Sequence, residues 1–415
     1  MYCWAPLGLE GEKNVSRTSR KFGEHKQIVF LYGLVMLIAL LPLADRGLLD
    51  KGIAKEWIAR IEELSQEGVN FFPSVRVYLS SGVNDNIFGT NLFILPGSIV
   101  YGMTKSVRTA FLFTMFWIQL GSIFFSKLFF EEWFGKDDEK SVFFATMLFV
   151  ISPYRMDLCY HQVNVSMALA WTLVPLYAWA FLRSFRDGKN VKVYLCSSIS
   201  LALVGYADYL IFLGMIGITL CVFIYKKAPV LLCVIFLGVI LLLPVECRLL
   251  QYLLKGGFEE WQLSCQSIMP KGYRFGGYFC SFAFAEGNPG IGLGMLLCLM
   301  AALWLKLVKG IKPDERTTVL LGISAVFWIM SSRRFPWEYV QRMGRPFLRL
   351  VGLWKSPVVF WGISYALLCI PAGEVIMTLS DKKYLEAEKG KIFRIIVILA
   401  CLGIELYRYN ELRIL

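Results

Sequence analysis

The chain has 415 residues, of which 57% are apolar and only 18% charged, with a mean hydropathy of +0.57. A water-soluble protein of this length needs far more charge to cover its surface, so the composition excludes that class. The net charge of +12 is scattered between apolar runs rather than gathered on one domain, which argues for membrane topology over nucleic-acid binding.

A helix crossing hydrocarbon needs ~20 mostly apolar residues, and its backbone polar groups must pair within the segment. The repeated apolar runs therefore predict an all-α polytopic integral membrane protein. Residues 1–26 read as a cytoplasmic tail, followed by a single transmembrane domain over 27–409 and a short outer tail at 410–415. The first apolar run lacks a small-residue cleavage site and reads as an uncleaved first crossing. Crossings are expected at 27–44, 106–130, 141–152, 166–182, 193–207, 208–225, 228–245, 289–308, 318–331, 356–374 and 392–409, about 11 transmembrane helices. The windows at 141–152, 193–207 and 318–331 are short, which points to merging or tilting.

Lys and Arg are denser in 1–26, 131–140, 183–192, 226–227, 306–316 and 382–394 than in the alternate set of connections. The positive-inside rule makes the first set cytoplasmic and gives a multi-pass cell-membrane protein with its N-terminus inside. The long outer loops are then 45–105, 247–288 and 332–355. Within the first, 48–67 reads as an interfacial amphipathic helix. Leu49, Ile53, Trp57, Ile61 and Leu64 form one stripe, and Glu56, Arg60, Glu63 and Glu67 recur on another face.

The 11 cysteines show no CxxC pair and no zinc spacing. Those inside apolar runs (Cys196, Cys221, Cys233, Cys298, Cys369 and Cys401) read as small packing residues. Cys265 and Cys280 share one loop, and a disulfide between them is one reading of it. With only two histidines, His25 and His161, a histidine-rich metal site is excluded. No phosphate-binding Gly loop, HExxH or GxSxG motif occurs.

The outer loops carry the candidate chemistry. Arg333, Arg334, Arg342, Arg345, Arg349 and Lys355 break the positive-inside pattern in 332–355, and guanidinium forks suit a phosphate ligand. Contact with lipid head groups or salt bridges to the first loop is the competing explanation. In the first loop, a carboxylate just outside the membrane is placed to act as a general base on a hydroxyl. Asp50, near the start of the amphipathic helix, is the leading candidate and Asp45 the second. Asp208, after the Gly205–Ala207 turn, is a ligand-contact candidate, with helix capping as the alternative. His161, beside Tyr160 and Gln162 in a short outer loop, is a candidate for sugar or phosphate contact, with a structural hydrogen bond as the alternative. Trp337 is a further contact candidate, since aromatic rings near crossing ends stack on sugars as well as forming membrane belts.

Three stretches carry a resemblance: SPYRMDLCYHQVNVSMALAWTLVP at 152–175, WIMSSRRFPWEYV at 328–340 followed by LVGLWKSPVVFWGISYALL at 350–368, and ARIEELSQEGVNFFPSVRVY at 59–78. Together they resemble multipass bacterial proteins of the GT-C glycosyltransferase superfamily, in the branch of pyruvoyl-tetrahydropterin-synthase-related membrane proteins next to the YfhO-like family. The resemblance implies a GT-C-like fold and a large first outer loop with interfacial helices. It also implies a polyprenyl-phosphate-linked sugar donor and an extracytoplasmic active face. By the same resemblance an acid of the first outer loop serves as base, and later basic residues bind the donor phosphate. Here those are Asp50 or Asp45 and Arg333, Arg334, Arg342 and Arg345, with Arg155 and Arg76 as further phosphate contacts. The sequence departs from the branch where relatives carry a His-Asp pair before the RIE-like segment. Gly52 and Ile53 stand there instead.

The expected function is a GT-C-like membrane glycosyltransferase that modifies a cell-surface glycan or glycolipid from a lipid-linked donor, with a divalent cation (Mg or Mn) as an optional cofactor. A non-catalytic scaffold that binds lipid-linked glycan is the alternative. A transporter or flippase comes third, because no internal repeat is visible and Glu246, Glu374 and Glu405 fall near segment ends.

Overall fold

The computed structural model describes residues 16–44, 46–50, 54–67, 94–186, 190–226, 228–244, 247, 290–311, 314–332, 334–336, 358–380 and 387–414. Among them the chain is built of helices and tight turns with no strand. The helices are α1 (Ser16–Leu40), α2 (Ala54–Glu67), α3 (Leu95–Thr104), α4 (Val107–Phe134), α5 (Glu139–Val150), α6 (Pro153–Met156), α7 (Val165–Arg186), α8 (Val191–Ala207), α9 (Tyr209–Lys226), α10 (Val230–Leu241), α11 (Leu293–Val308), α12 (Glu315–Ser331), α13 (Val358–Ser380) and α14 (Ala387–Ile414). A helix occupies each of the eleven expected apolar windows. Among the described residues, five spans are long and apolar enough to cross a membrane: 27–44, α4, Glu139–His161, α7 and 359–379. α8, the Ile211–Tyr225 part of α9, α10 and α11 form shorter apolar helices.

Local sequence explains where these helices begin. Ser106 Oγ accepts from Thr109 N at 3.2 Å, Asp138 Oδ1 from Ser141 N at 3.3 Å, and Asn190 Oδ1 from Lys192 N at 3.1 Å. Each of these side chains satisfies a backbone donor that the first helical turn leaves unpaired. Pro175 and Pro371 lie inside α7 and α13, where neighbouring helices make such breaks tolerable.

The bundle is arranged around α5, every residue of which from Ser141 to Val150 is buried. α1, α4 and α13 surround it. On one side α4 packs on α7, α7 on α8, and α8 on α9 and α10; on the other, α13 packs on α12 and α11, and α11 on α14. The main core runs through α5, α7 and α13, with Phe144, Leu148, Trp171, Tyr177, Trp361 and Ile376 among its members. Small residues let these helices approach. A Cβ on Gly362 would meet Tyr154 Cε1 at 2.3 Å and Trp171 Cζ2 at 2.6 Å, so only glycine fits under the Tyr154–Trp171 pair. The periphery is the reverse. Leu232, Phe236 and Ile240 on α10, and Val319, Ile323 and Val326 on α12, are exposed at helical spacing. In water such stripes would be unpaired apolar surface; in a bilayer they face lipid.

Contacts between helix ends sort the described loops into two sets. At one end, Ser166 Oγ at the start of α7 donates to the carbonyl of Ala207, which ends α8. Tyr206 Oη donates to Leu241 O at the end of α10 at 2.6 Å. Tyr160 Oη donates to Ala39 O near the end of α1. We call this the turn end, after the 153–161 turn. At the far end, Arg186 Nη1 of α7 lies 2.6 Å from Glu132 Oε1 of α4, and Thr317 Oγ1 of α12 donates to Glu374 Oε2 of α13 at 2.5 Å.

Candidate functional site

A second, smaller core covers the turn end. The segments Leu41–Ala44 and Arg46–Asp50 form 3-10 turns, and α2 and α3 follow. Leu43, Leu48, Trp57, Ile61 and Ile94 pack on Phe111, Met115 and Ile118 of α4 and on Met156, Cys159 and Tyr160 of the turn. Trp57 meets Phe111 edge-on at 5.1 Å. Gly97 lets α3 lie against α4, since a Cβ there would sit 2.6 Å from Thr114 Oγ1. Of the amphipathic helix expected over 48–67, the part up to Asp50 lies in the 3-10 turn Arg46–Asp50 and the part from Ala54 to Glu67 is α-helical, with 51–53 outside the described residues. Trp57 and Ile61 are buried as the stripe requires, but Arg60, expected on the polar face, is also buried.

The 153–161 turn is laid on this cover. Ser152 Oγ accepts from Arg155 N at 3.3 Å, and Pro153 opens the short α6. Asp157–His161 then continues as a π-helical turn, in which Gln162 N reaches Asp157 O at 2.9 Å. Asn164 N reaches Leu158 O at 2.9 Å, and Val163 has φ +51°. A β-branched residue in that left-handed region is strained by about 1–3 kcal/mol. π-Turns and such outliers concentrate at functional sites.

Two buried charges flank the turn. Arg155 is 1% exposed. Its Nη1 donates to Gln119 Oε1 at 2.8 Å and Val150 O at 3.2 Å, and its Nη2 donates to Thr172 Oγ1 at 3.2 Å and Ile118 O at 3.4 Å. The guanidinium thus ties α4 to α7 inside the bundle, facing neutral groups. Asp157 is also 1% exposed. Its Oδ2 accepts from Gln162 Nε2 at 2.5 Å, and its Oδ1 lies 3.2 Å from His161 Nδ1. The His161 side chain is 44% exposed. Asp208 is buried at the head of α9, where Oδ1 accepts from Ile211 N at 3.0 Å, a helix cap. Asp157 and Asp208 both lie within electrostatic range of Tyr154.

The expected site residues divide accordingly. Arg155, His161 and Asp208 come to the turn end, Arg155 in the core and His161 at the surface. Asp50 ends the second 3-10 turn at the same end. Arg334 follows α12, exposed, with its backbone N bonded to Ser332 Oγ at 3.2 Å. Asp45, Arg76, Arg333, Arg342, Arg345 and Trp337 lie outside the described residues, as do Cys265 and Cys280. Among the described residues there is no group of three or more His, Cys, Asp or Glu side chains placed to hold a metal ion. Asp157 and Gln119 do not stand among the residues that the sequence singled out. An acid four residues before the histidine was the available signal for Asp157, because that spacing aligns side chains on a helical turn.

The fold and its apolar periphery define an all-α membrane protein. No protein-family model matches the chain, and no curated protein does.

Proposed function

We propose that the chain is a GT-C-like membrane glycosyltransferase, with about 11 crossings and a cytoplasmic N-terminus. It takes a sugar from a polyprenyl-phosphate donor to a cell-surface glycan or glycolipid at its extracytoplasmic face. The observation that carries this reading is the lid of 3-10 turns, α2 and α3 over one end of the bundle. The polar turn with Asp157 and His161, the acid Asp208 and the exposed Arg334 gather at that same end. An amphipathic cover next to polar groups and a cation suits a lipid-linked phosphate that enters from the bilayer, whose sugar must meet a base. Arg333, Arg334, Arg342 and Arg345 keep their proposed roles as phosphate contacts, and the base comes from this same end, with Asp50 and then Asp45 as its first-loop candidates.

A second reading, a scaffold that binds lipid-linked glycan without turnover, is favoured by Gly52 and Ile53 standing where the resembled branch is expected to carry a His-Asp pair. It is favoured also by Arg155, whose guanidinium is engaged within the core.

The test is binding and turnover of polyprenyl-phosphate hexoses by purified protein in lipid nanodiscs, comparing wild type with Arg333→Ala plus Arg334→Ala. The expected result is wild-type turnover that falls at least about tenfold in the double variant, the loss of one or two charge-assisted contacts. Binding without turnover across a panel of sugars would favour the scaffold. No binding of any donor would remove both and return attention to transport.

A further inference from the structure

Three departures from regular helix fall within a few residues: the π-turn closed by Gln162 N on Asp157 O, the Asn164 N to Leu158 O bond, and the left-handed Val163, which is 1% exposed. A buried β-branched residue in that conformation persists only where its surroundings over-determine it. What the turn holds is a carboxylate behind an imidazole. Asp157 is anchored by Gln162 Nε2 on one oxygen, and the other, buried and making no hydrogen bond, lies 3.2 Å from Nδ1 of His161. The rest of the ring reaches the surface, being 44% exposed.

A buried carboxylate oxygen at that distance offers Nδ1 an acceptor that a small turn of the ring would engage, which favours the Nδ1–H tautomer and leaves Nε2 as the proton-accepting nitrogen. Arg155, two residues before Asp157, turns its guanidinium to Gln119 and Thr172. Asp208, the charged group at the head of neighbouring α9, is held by its cap to Ile211 N. The α7 residues at the turn are uncharged: Asn164 bonds Met167 N, and Ser166 bonds Ala207 O.

We propose that Asp157 and His161 form a proton-accepting dyad, in which His161 is the catalytic base for the acceptor hydroxyl and Asp157 its positioning residue. This rests on the transferase reading and moves the base from the first loop to the turn. In the step, Nε2 of His161 takes the hydroxyl proton as the oxygen bonds the anomeric carbon. The bond from that carbon to the donor phosphate oxygen breaks with its electron pair, and polyprenyl phosphate leaves as the anion. The imidazolium, held against Asp157, later returns its proton to water.

The chain's two histidines make His161 directly observable. In a His25→Gln background without a polyhistidine tag, His161 is the single histidine, and its carbethoxylation by diethylpyrocarbonate against pH reports its titration. Asp157→Asn is expected to move that profile, because it removes the charge beside the ring. An unmoved profile would overturn the pairing. Alongside it, polyprenyl-phosphate hexose turnover is expected to fall about 10²–10⁴-fold in His161→Gln, the usual worth of a general base. Asp157→Glu should retain more turnover than Asp157→Asn. Wild-type turnover that survives His161→Gln would overturn the dyad and leave the transferase standing. Absence of wild-type turnover with every donor would remove the transferase reading and the catalytic role together, while the carbethoxylation profile would still decide the pairing.

Discussion

At the far end of the bundle Glu132 takes Arg186 at 2.6 Å and has Arg183 at 3.8 Å, with the arginine side chains 41% and 46% exposed. At the turn end Arg155 and Asp157 stand two residues apart, both almost wholly buried, and no ion pair joins them. The first arrangement puts opposite charges together in partly solvated surroundings, where such pairs contribute little. The second isolates each charge among neutral donors and acceptors or beside a histidine, which costs desolvation without a full Coulombic return. Charges kept apart at that cost point to a role other than fastening for Asp157, and to an internal tie between α4 and α7 for Arg155.

Breaking the tie should have the largest effect. Arg155→Met keeps a long apolar stem but takes the guanidinium donor from Gln119 Oε1 and Val150 O, while Ile118 O keeps Thr172 Oγ1 and Thr172 Oγ1 keeps Ser122 Oγ as partners. A loss of about 2–6 kcal/mol is expected, from two buried acceptors at about 1–3 kcal/mol each. Reversible unfolding in mixed micelles measures it; an unchanged midpoint would mean that the arginine is merely tolerated. Next comes Gly362→Ala, which crowds the seat of Tyr154 and Trp171 beside the turn. It should cost about 1–3 kcal/mol, seen as a lower thermal midpoint. The smallest change is Glu132→Gln at the far end, expected to cost less than about 1 kcal/mol and to matter less as salt rises. Should Glu132→Gln prove as damaging as Arg155→Met, the contrast between the two ends would fail.

Much of the helical layout was legible because hydropathy reports on lipid contact. Each apolar window holds a helix, and Trp57 and Ile61 are buried as their spacing on one face demands. The same logic did not foresee the 3-10 turn Arg46–Asp50, since the stripe of apolar residues runs through Leu49. It also put Arg60 on a polar face, whereas the packing of α2 within the lid buries it. Asp208 shows why single residues are harder: an acid at a helix boundary looks alike in sequence as ligand or as cap, and the 3.0 Å bond from Ile211 N shows that it caps. Asp157 was hidden within the resembling segment itself, where the π-turn that aims it at His161 leaves no mark in hydropathy.

The complete burial of α5 from Ser141 to Val150 bears on how the protein is made. Glu139–His161 forms one continuous span whose most apolar stretch touches protein on every side. Near its end it carries Arg155 and Asp157, each of which opposes insertion by up to ~2.5–3.5 kcal/mol when it lies deep in hydrocarbon. Gln119 on α4 emerges from the ribosome before Arg155, and Thr172 on α7 after it. The segment is thus born between its two partners. It can settle in the membrane as the middle member of a three-helix unit, and the order of synthesis becomes part of what keeps its charges out of the lipid.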